Sequence, residues 1–286
     1  MTEPVTDAGE GNADTVGAAS ILLNCFEAHN VGHVIEALHY CLGHHSANPD
    51  MRLSVLLNAL APTELARLCP FVEMIFPVEL PGYPEDTSGL SEADCLAALR
   101  DVPREWDYVL DNPRRSVKPH LEAVPGFALY YEASDLHVRA RKARAMIGAD
   151  PPGYVPRGHL RLNLPRENRV RVRDILPSGK PRIAVLPGGS SERWLYPSVS
   201  SWEIILTALA RHFPEASFCL VGKLSSDGRT ATTSSEAEVQ RLLEACPRAT
   251  NFFAVELLDQ IAAVETCDVF ISPHSGFGMA ALAVGT

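Results

Sequence analysis

No apolar stretch in this 286-residue chain approaches the ~20 residues that a membrane-spanning helix needs. Basic residues are also in short supply. Twenty-five Lys and Arg face 35 Asp and Glu, a net charge of −10, and such a balance argues against an electrostatic grip on nucleic acid. The seven cysteines, at 25, 41, 69, 95, 219, 246 and 267, are odd in number, scattered, and never form a Cys-x-x-Cys pair. They are expected to be reduced core residues of a cytoplasmic protein. Neither an Asp-x-Asp pair nor a tight His/Asp/Glu cluster occurs, so no metal ion and no cofactor is expected. The first eighteen residues, acidic and rich in Gly and Ala, lack the basic start and apolar block of a signal peptide and are expected to be a disordered tail. Peripheral membrane association stays open.

The remainder is long enough for two cores and alternates between two kinds of segment. Short runs rich in Val, Ile and Leu (20–26, 52–57, 72–76, 106–110) are followed by loops and by segments with helical spacing, such as Val34, Ile35, Leu38 and Leu42. That beat predicts an α/β fold with parallel sheets and helices on both faces. Residues 112–130 show no clear period, Ser134 reads as the cap of a basic helix to about Ile147, and the proline-rich 149–156 reads as a loop. Composition turns to Pro and Gly at 177–181, immediately before the strongest strand signal. Two Rossmann-like domains are therefore expected, at 19–177 and 178–286. Because the chain stops as a last helix would be finishing, the second is expected to be truncated.

Two stretches organise the second half. Residues 182–194 and 267–285 each run from an apolar strand through Gly, Ser and Pro into a helix-forming segment. The first amides of a helix lack intrahelical partners, and the helix dipole adds partial positive charge, so such places bind anions. Two of them suggest a diphosphate gripped from both sides.

Val185-Leu-Pro-Gly-Gly-Ser-Ser-Glu-Arg-Trp194, Phe218-Cys-Leu-Val-Gly222, Leu257-Leu-Asp-Gln-Ile261 and Ile271-Ser-Pro-His-Ser-Gly-Phe-Gly-Met-Ala-Ala-Leu282 occur in an order that resembles the GT-B glycosyltransferases, most closely the heptosyltransferase family, glycosyltransferase family nine. The first half resembles it more loosely, around Gly32-His33-Val34. The resemblance implies two domains facing across a cleft, with a nucleotide-diphosphate sugar as co-substrate on the second and an acceptor on the first. It also implies donor-phosphate contacts from Gly189, Ser190, Ser191 and Arg193 and from His274, Ser275, Gly276 and Phe277. Three positions depart from the pattern: His274 stands where the family usually has Asp, Met279 where it has His, and His33 where it has an acidic residue.

Inverting transfer needs a base for the acceptor hydroxyl, and an imidazole with a pKa near ~6.5 suits that task at neutral pH. His33, on the loop after the first strand, is the candidate; His29 is its main rival, with Asp111 and Glu27 behind. His274 either donates to a phosphate or holds its loop, and Trp194 is expected to pack rather than stack. The polar loop 223–235 and the helix start with Glu236 and Glu238 are candidates to approach the ribose. The expected activity is thus inverting, metal-independent glycosyl transfer. The alternatives are a non-catalytic nucleotide-sugar-binding protein of the same fold and a sugar-nucleotide epimerase.

Overall fold

Parallel strands dominate because both faces of each sheet are covered. In the computed structural model, which describes residues 18–286 other than 84, 125, 157, 190–192, 225–233 and 254, the first sheet contains β1 (Ser20–Cys25), β2 (Arg52–Asn58), β3 (Met74–Val78), β4 (Glu105–Asp111) and β5 (Arg139–Met146). The expected tail at 1–17 lies outside the described residues. Helices α1 (Val31–Ala47), α2 (Thr63–Arg67), α3 (Glu92–Ala98), α4 (Lys118–Ala123) and α5 (Gly126–His137) connect these strands. All six residues of β1 are buried: Ile21, Leu23 and Cys25 join one apolar cluster with α1, and Leu22 joins another with α5. A mainly apolar run is what a strand covered on both sides requires, and buried Asn24 is satisfied by Asp111, Ser134 and Tyr130.

After α6 (Arg166–Ile175), the second sheet is built from β6 (Arg182–Val185), β7 (Ser217–Leu220), β8 (Ala249–Asn251) and β9 (Val269–Ile271), with helices α7 (Val199–His212), α8 (Glu236–Ala245), α9 (Leu257–Glu265) and α10 (Gly276–Val284). Strand order is β3-β2-β1-β4-β5 in one sheet and β8-β7-β6-β9 in the other, parallel throughout the described pairings. In each, the chain reverses direction of travel beside its first strand. The loops leaving β1, and those leaving β6 and β9, therefore open at switch points, where α/β sheets bind ligands.

Several local expectations are corrected. The basic segment 139–146 is strand β5 and not a helix, and Ser134 is buried inside α5. Alternation of Arg with Ala suits an edge strand whose cations reach the neighbouring β4: Arg141 Nη2 lies 3.1 Å from Asp107 and Arg144 Nε 2.7 Å from Asp111. The Arg-rich segment before the second sheet is helix α6, fastened to α9 by Arg169 on Glu265 (2.6 and 2.7 Å) and Arg171 on Asp259 (2.8 and 3.2 Å). Strand β3 starts two residues later than expected and includes Pro77, which an edge strand tolerates.

One apolar cluster runs through both sheets. It joins Leu23 and Val34 of the first to Ala184, Val221 and Ala280 of the second, with Leu160, Leu162 and Leu164 between. All seven cysteines are free and buried, and among the described residues no helix is long and apolar enough to cross a membrane.

Candidate active site

Helices α1 and α10 meet at their first turns through glycine. A Cβ placed on Gly32 would lie 2.6 Å from Gly276 Cα, and one on Gly276 would lie 2.6 Å from Gly32 N. No side chain fits there, so glycine at both positions is what lets the two backbones touch. The loop after β6 joins them. A Cβ on Gly189 would stand 3.7 Å from Ser275 Cβ and 2.9 Å from the Tyr196 hydroxyl. Three segments far apart in the sequence thus converge at one place.

Each is held by local chemistry. Asn30 caps α1 by accepting the His33 amide at 3.1 Å, and Ser275 caps α10 by accepting the Gly278 amide at 3.2 Å, caps worth about 1 kcal/mol each. Buried Trp202 donates its indole N–H to the Pro187 carbonyl at 2.8 Å and so anchors the loop from below. Gln260, also buried, accepts the Gly222 amide at 2.9 Å, fixing the exit from β7. The first amides of α1 and α10 have no partners within their helices, and both dipoles place positive partial charge at the junction.

The expected contact residues fall as follows. His33 lies in the first turn of α1, half-buried, with its ring edge-on to His29 at 6.3 Å between centroids. His29 Nδ1 sits 3.3 Å from the Glu27 carbonyl oxygen and 3.2 Å from the Tyr83 hydroxyl, and burial holds its pKa below the usual histidine value. Asp111 is consumed by structure: Arg144, Arg115 and Asn24 occupy its oxygens at 2.7, 2.5 and 3.1 Å. Gly189, Ser275 and Gly276 stand at the junction, His274 is exposed beside it, and Phe277 turns its ring toward Phe270 at 6.1 Å, leaving its amide for any ligand. Ser190 and Ser191 lie outside the described residues.

Arg193 makes a two-pronged pair with Glu238, one arm at 3.1 Å and the other from Nη2 to Oε1 shorter still. Glu238 in turn caps α8 with Ser235, and this pairing raises the Arg193 pKa and lowers that of Glu238. Trp194, expected to pack, is 78 % exposed, because the turn at Arg193–Leu195 carries it outward while Trp202 fills the core.

Sequence reasoning ranked Glu27 low. The residue is only 2 % exposed, Tyr131 donates to Oε2 at 2.8 Å, and burial lifts its pKa from 4.5 to about 7. A carboxyl titrating near neutrality at the C-terminal edge of a sheet is a group able to exchange protons. Tyr196 was missed altogether, and nothing in its local sequence marks it.

No family model and no curated protein matches the chain. Solved structures do. A family 9 glycosyl transferase from Veillonella parvula superposes with a TM-score of 0.66 at 13% identity, over 96% of this chain and 81% of that one. ADP-heptose lipopolysaccharide heptosyltransferase II of E. coli gives 0.57 at 14%, over 93% and 82%. An E. coli heptosyltransferase solved with ADP-2-deoxy-2-fluoro heptose gives 0.58 at 13%, over 93% and 86%. The fold is therefore that of GT-B glycosyltransferases, and it resembles family nine over most of the chain.

Proposed function

We propose that the protein transfers a sugar from a nucleotide-diphosphate donor to an acceptor hydroxyl, with inversion and without a metal ion. The observation that carries this reading is the Gly32–Gly276 contact with Gly189 beside it. Two helix N-termini pressed together carry about half a positive charge each, an arrangement that an anion bound beside the contact relieves. Backbone amides of Gly189, Gly276 and Phe277, the hydroxyls of Ser190, Ser191 and Ser275, and His274 then receive the diphosphate, and Arg193 reaches it by exchanging Glu238 for phosphate oxygens.

His33 takes the proton from the acceptor hydroxyl. The oxygen forms its bond to the anomeric carbon as the bond to the donor phosphate breaks, and the electron pair leaves on the nucleoside diphosphate, stabilised by the junction's amides. Opposed attack and departure give inversion. The likeness in fold to heptosyltransferases supports a nucleotide-sugar donor, and His33, His274 and Met279 in place of the family's usual residues point to a sugar other than heptose.

Calorimetric titration with a panel of nucleoside diphosphates, followed by donor-turnover assays on His33→Ala, tests the reading. Binding of at least one diphosphate and loss of turnover in the variant are expected. Failure of every diphosphate to bind, or turnover by the variant at the wild-type rate, would refute the donor site or the base.

A further inference from the structure

Away from the candidate active site, a groove of about 350 Å³ runs between α2 and the edge strand β3. Val72, Met74, Ile75 and Pro77 form its apolar side, and Thr63 and Arg67 of α2 form the polar one. Its size falls at the lower end of the range of ligand pockets. One wall is a strand edge that no neighbour covers.

Backbone groups alternate in direction along a strand of a parallel sheet. The amide of Ala59, at the end of β2, donates to the Val78 carbonyl at 2.8 Å, so Val78, and with it Phe76 and Met74, face β2. Ile75 and Pro77 face the other way. Pro77 has no N–H to waste there, which is where an edge strand accepts proline. The Ile75 N–H and C=O and the Pro77 C=O are thus left open beside the groove that both residues line, with no partner among the described residues.

The opposite edge of the same sheet is guarded. Strand β5 has four cations in eight residues, and its pairing with β4 shifts register between Trp106 and Tyr108; both devices discourage a further strand. Strand β3 reads Met-Ile-Phe-Pro-Val and carries no charge. Charge at the groove comes from α2 instead. Arg67 is exposed and enters no ion pair among the described residues, whereas Glu73 on the other rim already has Arg52 at 3.6 Å. A carboxylate is what the groove lacks. A second copy of the chain answers these groups poorly: antiparallel pairing centred on Ile75 would set Glu73 opposite Pro77, and the Glu73 amide already goes to the Leu53 carbonyl at 2.8 Å. A separate extended chain has its amides free.

We propose that the β3 edge and the α2 groove form a docking site for an extended acidic peptide segment of a partner protein. The segment adds to the five-stranded sheet as a sixth strand, exchanges hydrogen bonds with the Ile75 N–H and C=O, and donates to the Pro77 carbonyl. One apolar side chain lies along Val72 and Ile75, and a carboxylate meets Arg67. The site stands apart from the glycosyl-transfer reading and does not depend on it.

Fluorescence polarisation on the full chain tests the assignment. The probes are labelled hexapeptides that alternate valine with glutamate, glutamine or lysine, and a copy of the glutamate peptide N-methylated on every residue. The glutamate peptide is expected to bind about fivefold more tightly than the glutamine one, with the lysine one weakest. N-methylation removes the amide donors and should weaken binding about tenfold or more. Arg67→Glu should invert the order of the glutamate and lysine peptides. Ile75→Pro removes an outward N–H at an edge position and should weaken every peptide about tenfold. Binding of no peptide, binding indifferent to N-methylation, or an order of affinities unchanged in Arg67→Glu overturns the proposal. So does dimerisation of the free chain in sedimentation that Ile75→Pro abolishes, since a second copy is then the occupant. Should Ile75→Pro fail to fold, N-methylation and Arg67→Glu carry the test.

Discussion

Replacing Glu27 by Gln should make the protein more stable in alkali and leave it nearly unchanged in acid. Burial lifts the Glu27 pKa to about 7 from 4.5. Between those two values the folded chain holds a proton that the unfolded chain has released, so stability falls as pH rises from 4.5 to about 7 and stays low above it. At ~1.4 kcal/mol for each tenfold change in proton affinity, the folded chain loses about 3 kcal/mol across that window. Gln has the shape of the protonated acid and no proton to lose. Urea unfolding of both proteins at intervals from pH 4 to pH 9 would show the difference in stability opening from near zero to as much as about 3 kcal/mol in favour of the variant. Comparing the two chains at each pH cancels the contributions of other titrating groups, including His29 and His44, whose pKa values are lowered by burial. A difference that stays flat across the range would mean that Glu27 is ionised or solvated in the folded protein, and the account of its environment would be wrong.

Three further outcomes follow from the same structure. His44, fully buried, donates through Nδ1 to the Gly153 carbonyl at 2.8 Å and accepts the Gly148 amide on Nε2 at 3.1 Å, so it must stay neutral. Its lowered pKa gives stability that is complete above ~6.5 and is lost as pH falls below that value; melting of His44→Gln across pH 5 to 7.5 should show a shallower acid decline than wild type. Gly276→Ala forces a Cβ to 2.6 Å from Gly32 N and should cost about 2 kcal/mol or more, with weaker nucleoside-diphosphate binding by calorimetry. Arg193→Ala should reduce that affinity about tenfold, the worth of one charge-assisted hydrogen bond set, and an unchanged value would take Arg193 out of the donor site.

The strands were legible wherever burial on both faces left a mainly apolar run, as in β1, β2, β6 and β7. Segments whose conformation depends on distant partners were not. In β5, arginines that favour a helix locally are held extended by Asp107 and Asp111 on the adjoining strand. In α6, the fixing carboxylates Asp259 and Glu265 lie some ninety residues away. At the candidate site, the convergence of the two Gly-Ser loops was readable because each follows a strand beside the sheet's switch point, and Gly189 does stand against Ser275. The burial of Glu27 was not readable, since it is created by Tyr131 and the aromatic residues of a helix a hundred positions on. Nor was the capture of Arg193 by Glu238, because both are surface charges with many conceivable partners.

The apolar cluster threading both sheets constrains how the protein can breathe. Lobes joined by a greasy seam cannot gape without wetting Val34, Ala280 and their neighbours, so sliding of α1 over α10 about the glycine pair costs less than a wide clamshell swing. By the same token, severing the chain near residue 180 would leave each half with a bare hydrophobic flank, and neither would be a soluble module in its own right.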